Sequence, residues 1–218
     1  MAAVAYLHQR SDIGRICLIG HSEGGLVAPI VANGSADVDF VVLMAGPGLS
    51  GEEISSLQGR LIILAAGGTE EAAEKARGLQ EALFAAMKEE DDLTELKAKL
   101  HRILSDRAAE SDPDEASTAG EIDTQVAQFS APWYRYFITY DPAPALRELD
   151  CPLLAINGEK DLQVPMKENF VAIQAALQAG GNPDFELVEL EGLNHLFQTA
   201  ETGAPNEYGK IEETLSPR

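Results

Sequence analysis

The sequence predicts an α/β protein: a mainly parallel sheet of about four strands, flanked by helices and interrupted by a helical insertion. Three observations predict it. The runs Phe40-Val41-Val42-Leu43-Met44 and Pro152-Leu153-Leu154-Ala155-Ile156-Asn157 are apolar without alternation, the mark of strands buried on both faces of a parallel sheet. Residues 15–32 read as strand, sharp turn and helix, with an apolar run ending at Gly20 and another beginning at Leu26. Between Gly51 and Ser130 no convincing strand occurs. Leucines recur there at helical spacing, and half of the 36 acidic residues fall there as a solvated outer face.

Taken in order, residues 1–9 read as the tail of a helix, with Val4, Leu7 and His8 at helical spacing, broken by Ser11-Asp12 and Gly14. Residues 15–20 form the first strand. The helix after it ends at Asn33-Gly34-Ser35, with Pro29 removing one backbone hydrogen bond inside it. The second strand, 40–44, stops at Ala45-Gly46-Pro47-Gly48. The insertion, residues 49–140, then divides the core into 1–48 and 141–218. Within it, Thr69-Glu70-Glu71 and Ser111-Asp112-Pro113-Asp114 are helix starts, each a capping hydroxyl followed by acids in the first turn. Residues 61–65 could pass for a strand, but Ile54, Leu57, Leu61 and Leu64 carry a helical period through them. Leu79, Leu83, Phe84 and Met87, then Leu93, Leu96, Leu100 and Leu104, supply the inner faces. Phe129 and the cluster Trp133, Tyr134, Tyr136, Phe137 and Tyr140 either pack the insertion on the core or wall a substrate pocket facing Ser22. A third strand at 152–157, a helix at 164–179 ended by Gly180-Gly181, and a fourth strand at 185–190 with Phe185, Leu187 and Glu189 on one face follow. A loop holding His195, a terminal helix and a frayed tail complete the prediction.

The 218 residues accommodate one α/β domain with an inserted subdomain. A net charge of −20 repels nucleic acid and anionic membrane surfaces, so neither is expected as a partner. Cys17 and Cys151 lie at or beside predicted strands and read as small buried apolar residues, not as a disulfide or a metal site. The sequence has no signal-peptide pattern at Met1 and no apolar run long enough to span a bilayer. The expected location is cytoplasmic, provided the native N-terminus is present.

The chemistry-bearing residues sit where strands end. Gly20-His21-Ser22-Glu23-Gly24 has the G-x-S-x-G spacing. Glycines on both sides are expected because the turn is crowded. The Ser22 hydroxyl then stands clear at the carboxyl edge of the sheet, and the Glu23 N–H, at the start of a helix, points at a developing oxyanion. The alternative is an ordinary βα turn. A serine hydroxyl needs a base, and the base needs an acid to fix its tautomer. Asp161 follows the third strand in Gly158-Glu159-Lys160-Asp161, and His195 follows the fourth in Gly192-Leu193-Asn194-His195, in the order Ser, acid, His. Glu159 and Asp150 are the competing acids. His8 and His101 fall in predicted helices away from strand ends. His21 is too close in sequence to act on Ser22, and is expected to pack beside the site or to bond the backbone. No Cys/His spacing suggests zinc and no Gly-rich phosphate loop is present, so neither a metal nor a cofactor is expected.

These motifs, with Val164-Pro165 closing the second of them, resemble the C-terminal portion of an α/β-hydrolase of the bacterial carboxylesterase and serine-aminopeptidase-like kind. The resemblance covers nearly the whole chain, the insertion being its least diagnostic part. It implies Ser22 as nucleophile, Asp161 as acid, His195 as base, a lid in the insertion, and a small-molecule carboxylic ester cleaved through an acyl-enzyme. His21, Trp133 and Phe137 are the expected pocket residues. A peptidase or thioesterase would use the same triad, and a chain lacking part of the site would turn over poorly or not at all. In the full fold the elbow follows strands that this sequence lacks before Arg15, and the loop that gives the second oxyanion donor is lacking with them. The 15–20 strand is therefore expected at a sheet edge with unpaired backbone groups, covered in a homo-oligomer or by a preceding N-terminal piece.

Overall fold

The computed structural model describes residues 1–110 and 117–217; the helix start expected at 111–114 lies outside them. The elements in order are α1 (Ala2–His8), β1 (Cys17–His21), α2 (Gly24–Asn33), β2 (Phe40–Met44), α3 (Gly51–Ala65), α4 (Glu70–Glu89), α5 (Leu93–Glu110), α6 (Ala119–Phe129), α7 (Pro132–Thr139), α8 (Ala143–Arg147), β3 (Leu153–Gly158), α9 (Met166–Gly180) and β4 (Phe185–Leu190), with a 3₁₀ turn at Pro205–Lys210. They fall into two compact units, Met1–Leu49 with Asp141–Arg218, and Ser50–Tyr140.

In the first unit the four strands are all parallel, in spatial order β1-β2-β3-β4. Each connection moves one place in the same direction, and right-handed crossovers then bring the helices to one face of the sheet. The core follows. Leu18, Val41, Leu43, Leu153, Ala155 and Leu187, alternate residues along the strands, pack with Ala28 of α2, Leu146 of α8, and Ile173 and Leu177 of α9. On the opposite face Ile19, Val42 and Leu154 stand in direct register. Because β1 is an edge strand, Ile19 is 66 % exposed. Glu189 is exposed, so the inner row of β4 ends at Leu187.

Side-chain amides tie the connections down. Asn169 Oδ1 accepts from the N–H groups of Gly48 and Leu49 and its amide donates to Pro165 O, which joins the exit of β2 to α9. The helix α9 stops where Gly181 takes a left-handed conformation, φ 81°, that a residue with a Cβ adopts only at a cost. Cys17 and Cys151 are free thiols and only half-buried, not fully buried as expected; burial still pushes both thiol pKa values up. The expected terminal helix is a 3₁₀ turn instead, because Gly203-Ala204-Pro205 before it and Gly209 within it leave too short a run for a stable α-helix.

The second unit carries helices and turns but no strand among its described residues. Leu83, Phe84, Met87, Leu96, Leu100, Leu104, Ile122, Val126 and Ile138 form its core. Leu96 and Leu100 are fully buried, worth about 1.5–3 kcal/mol each. Leu93, expected inside, is exposed because it opens α5 one turn ahead of that stripe. Ser50 and Glu53 form a capping box at α3, Thr118 and Glu121 another at α6, and Thr69 caps α4. Among the described residues no helix is long and apolar enough to cross a membrane.

Candidate active site

Strand β1 ends at His21 and the chain turns sharply at Ser22, whose φ of 54° is unusual for a residue with a side chain. The turn is held by Ser22 N–H donating to Met44 O at 2.9 Å and by Gly25 N–H donating to Ser22 O at 2.8 Å. Glu23 is already helical and is the N-cap residue of α2. The crowding is distributed differently from the expectation. A Cβ on Gly20 would collide with Gly24 O, and one on Gly25 would lie 2.5 Å from the Gly46 Cα. A Cβ on Gly24 would meet nothing within 4 Å. The space is needed at the strand end and where α2 crosses the exit of β2, not at the residue two beyond the serine.

The acid loop follows β3. Asn157 Nδ2 donates to Val164 O and its Oδ1 accepts from Gly158 N, closing the loop on itself. Asp161 is 2 % exposed. Its Oδ1 accepts from the N–H groups of Gln163 and Val164, both at 2.8 Å, and its Oδ2 faces His195 Nδ1 at 2.8 Å. A buried carboxylate with three donors is well satisfied. Of the competing acids, Glu159 is used elsewhere, its carboxylate accepting from Gly192 N at 2.9 Å.

The histidine loop follows β4. Asn194 Oδ1 accepts from Leu196 N and Gln198 N, Asn194 N donates to Gln198 O, and Phe197 has φ 59°. His195 is 5 % exposed. With its Nδ1–H given to Asp161, the neutral ring keeps a lone pair on Nε2, the arrangement a general base needs. Among the described residues no hydrogen bond joins the Ser22 hydroxyl to His195. The elbow and this loop meet through His21, whose Nε2 lies 2.9 Å from His195 O. Beside them His21, Met44, Leu196, Phe197, Ile211 and Leu215 line part of an open groove of about 530 Å³. Trp133 and Phe137 lie in the other unit on α7, stacked at 5.6 Å, with Trp133 52 % exposed. Among the described residues no cluster of three or more His, Cys, Asp or Glu could hold a metal ion.

Parallel strands carry a serine elbow after β1, a buried acid after β3 and a histidine after β4, all at their carboxyl ends, and the sequence matches the α/β-hydrolase family over residues 2–204. The chain belongs to that family. Esterase EstD of Thermotoga maritima is 27 % identical over 211 residues, covering 96 % of this chain and 42 % of the relative, so this α/β-hydrolase chain spans less than half of that protein's length. Among solved structures, the Pyrococcus furiosus esterase Pf2001 is 17 % identical, covers 87 % of this chain and 50 % of its own, and has a TM-score of 0.48. An α/β-fold hydrolase from Bacillus anthracis is 18 % identical over 84 % of this chain and 62 % of its own, with a TM-score of 0.44. Asn157 and Asn194, which shape the two loops of this α/β-hydrolase, were not singled out from sequence. Asn157 is the last residue of the predicted third strand and Asn194 stands beside His195 in the motif after the fourth, and those positions were their signal.

Proposed function

We propose that this chain hydrolyses carboxylic esters, with Ser22 as nucleophile, His195 as general base and Asp161 as the acid that orients it. The buried Asp161–His195 hydrogen bond of 2.8 Å, on loops that follow adjacent strands, is the observation that carries the reading. On substrate binding His195 Nε2 takes the proton of Ser22 Oγ as that oxygen bonds to the ester carbonyl carbon. The carbonyl electron pair moves to its oxygen, which the Glu23 N–H helps to hold. The intermediate collapses, the C–O bond to the alcohol breaks, and the imidazolium returns the proton to the leaving alcohol. Water then attacks the acyl-enzyme, with His195 again the base, and the acid is released. The lid role of Ser50–Tyr140 and substrate contact by Trp133 and Phe137 belong to the same proposal. Trp133→Ala should shift acyl-length preference more than stability, and an unchanged chain-length profile would remove Trp133 from the pocket. Turnover of p-nitrophenyl acetate and butyrate, with fluorophosphonate labelling that is lost in Ser22→Ala, tests the reaction. Labelling retained in that variant would sink it, and thioester and peptide substrates separate the sister activities.

We also propose that the β1 edge pairs with a second copy of the chain. The supports are the outer edge of β1, which no strand covers among the described residues, and the exposure of Ile19 on the sheet face beside that edge. Sedimentation should give a dimer or larger assembly that Ile19→Lys weakens. A stable monomer at all concentrations would end the idea.

A further inference from the structure

His21 does more than line a surface. It is the last residue of β1, in register with Met44, and the next residue is Ser22. Its Nε2 lies 2.9 Å from His195 O. A carbonyl only accepts, so Nε2 carries the proton and donates. The His21 ring lies 4.9 Å from the His195 ring, tilted by 41°, and 6.0 Å from Phe197, edge-on. The other bonds around His195 do not reach the elbow. Those of Asn194 stay inside the loop, the Asp161 bond holds the ring, Lys160 N–H donates to Leu193 O at 2.9 Å from the acid loop, and Ser216 N–H donates to Phe197 O at 2.8 Å. The loop also contains Phe197 at φ 59°, a conformation that persists only when neighbours over-determine it.

We propose that His21 is a positioning residue: its side chain ties the main chain of His195 to the serine elbow and so sets where the imidazole stands relative to Ser22. This rests on the reading of Ser22 and His195 as nucleophile and base. His21 touches neither the substrate nor the transferred proton in this account. It acts by holding two loops, from two non-adjacent strands of the sheet, at one separation.

Two variants separate positioning from packing. His21→Gln keeps an N–H donor near the place of Nε2 and loses the ring. His21→Phe keeps the ring and its contacts and loses the donor. On a p-nitrophenyl ester His21→Phe should lose about five- to tenfold in kcat, the size of one net hydrogen bond, with KM within about twofold of the parent. His21→Gln should stay within about twofold in both. A second readout needs no turnover. The low-field proton resonance of the Asp161–His195 hydrogen bond should broaden or vanish in His21→Phe and persist in His21→Gln. If His21→Phe does not fold, His21→Ala replaces it with the same expectation. Full kcat with an unchanged low-field signal in the variant without the donor, or a glutamine variant no better than phenylalanine, overturns the proposal. So does the absence of that signal from the parent protein. If Ser22→Ala retains turnover, the nucleophile assignment has failed, and the resonance alone then decides whether His21 orders the Asp161–His195 pair.

Discussion

The two units are held together by different means. The helical unit buries a leucine and phenylalanine core, and among its described residues the buried polar ones are Ser55 and Ser130. Its charges meet at the surface, as in Arg77 with Glu74 and Glu81, Lys88 with Glu52, and Lys99 with Glu90. The sheet unit buries Asn157, Asp161, Asn169, Asn182, Asn194, His195 and Gln198. A helix satisfies its own backbone, so its side chains are free to be apolar. The loops beyond a parallel sheet have no ladder, and buried side-chain amides and carboxylates replace it. Surface pairs contribute about 0–1 kcal/mol each, whereas leaving a buried group unpaired costs about 1–3 kcal/mol. The unit that holds Ser22, Asp161 and His195 is therefore the one in which single polar substitutions are expensive.

The largest test of that contrast is chemical. Ser22→Ala and His195→Ala should each lower esterase turnover by about 10³-fold or more while leaving the circular dichroism unchanged, and Asp161→Asn should keep more residual rate than either. An Asp161→Asn variant at the parental rate would detach the buried acid from the reaction. A middle-sized effect separates the units directly. Asn194→Ala, which strips an acceptor from the buried Gln198 N–H and the part-buried Leu196 N–H, should destabilise the sheet unit by about 1–3 kcal/mol in urea unfolding. Arg77→Ala, which removes two surface pairs, should change stability by less than about 1 kcal/mol. Equal losses would erase the distinction. The smallest effect concerns acid. The Thr118 backbone N–H, and then its hydroxyl, hold the Glu121 carboxyl below its ordinary range at the start of α6. A depressed carboxyl stabilises the fold above its unfolded value, and that contribution is lost as pH falls through the lowered folded value. Protection of the first-turn amides of α6 against exchange, taken relative to their intrinsic rate at each pH, should fall on acidification, and Thr118→Ala should be weakly protected at every pH. A parent whose first-turn exchange is no more protected than that of Thr118→Ala at neutral pH would remove the box as the cause.

The same contrast governs what could be read in the sequence. Phe40–Met44 and Phe185–Leu190 are strands at the residues expected, because short apolar runs bounded by Asp, Ala-Gly or Glu leave little choice of ends. The continuous helical period through Ile54, Leu57, Leu61 and Leu64 likewise identified α3 against a strand-like run. Ser22, Asp161 and His195 stand out in the sequence because each follows a strand at a motif, and of the three the structure joins Asp161 and His195 by a hydrogen bond. What was hidden depends on distances between loops. No local pattern says that His21 reaches His195 O, that Asn194 holds two N–H groups, or that Gly25 is the residue pressed against Gly46. Leu93 was misread because a period says which residues share a face but not where a helix begins.

Ser22, Ala45 and Phe197 are the described residues other than glycine with positive φ, and each would gain about 1 kcal/mol of backbone relief as glycine. A laboratory selection for heat resistance would meet three different answers. Glycine at 197 removes a buried phenylalanine worth about 3–5 kcal/mol, so packing forbids it outright. At 45 the fully buried methyl group and the strain nearly cancel, at about 0.8 kcal/mol for the methyl, and the position should drift freely. At 22 nothing but the hydroxyl opposes the change. Under selection for heat alone, glycine should be accepted there first, and the lineage would harden while losing its proposed nucleophile.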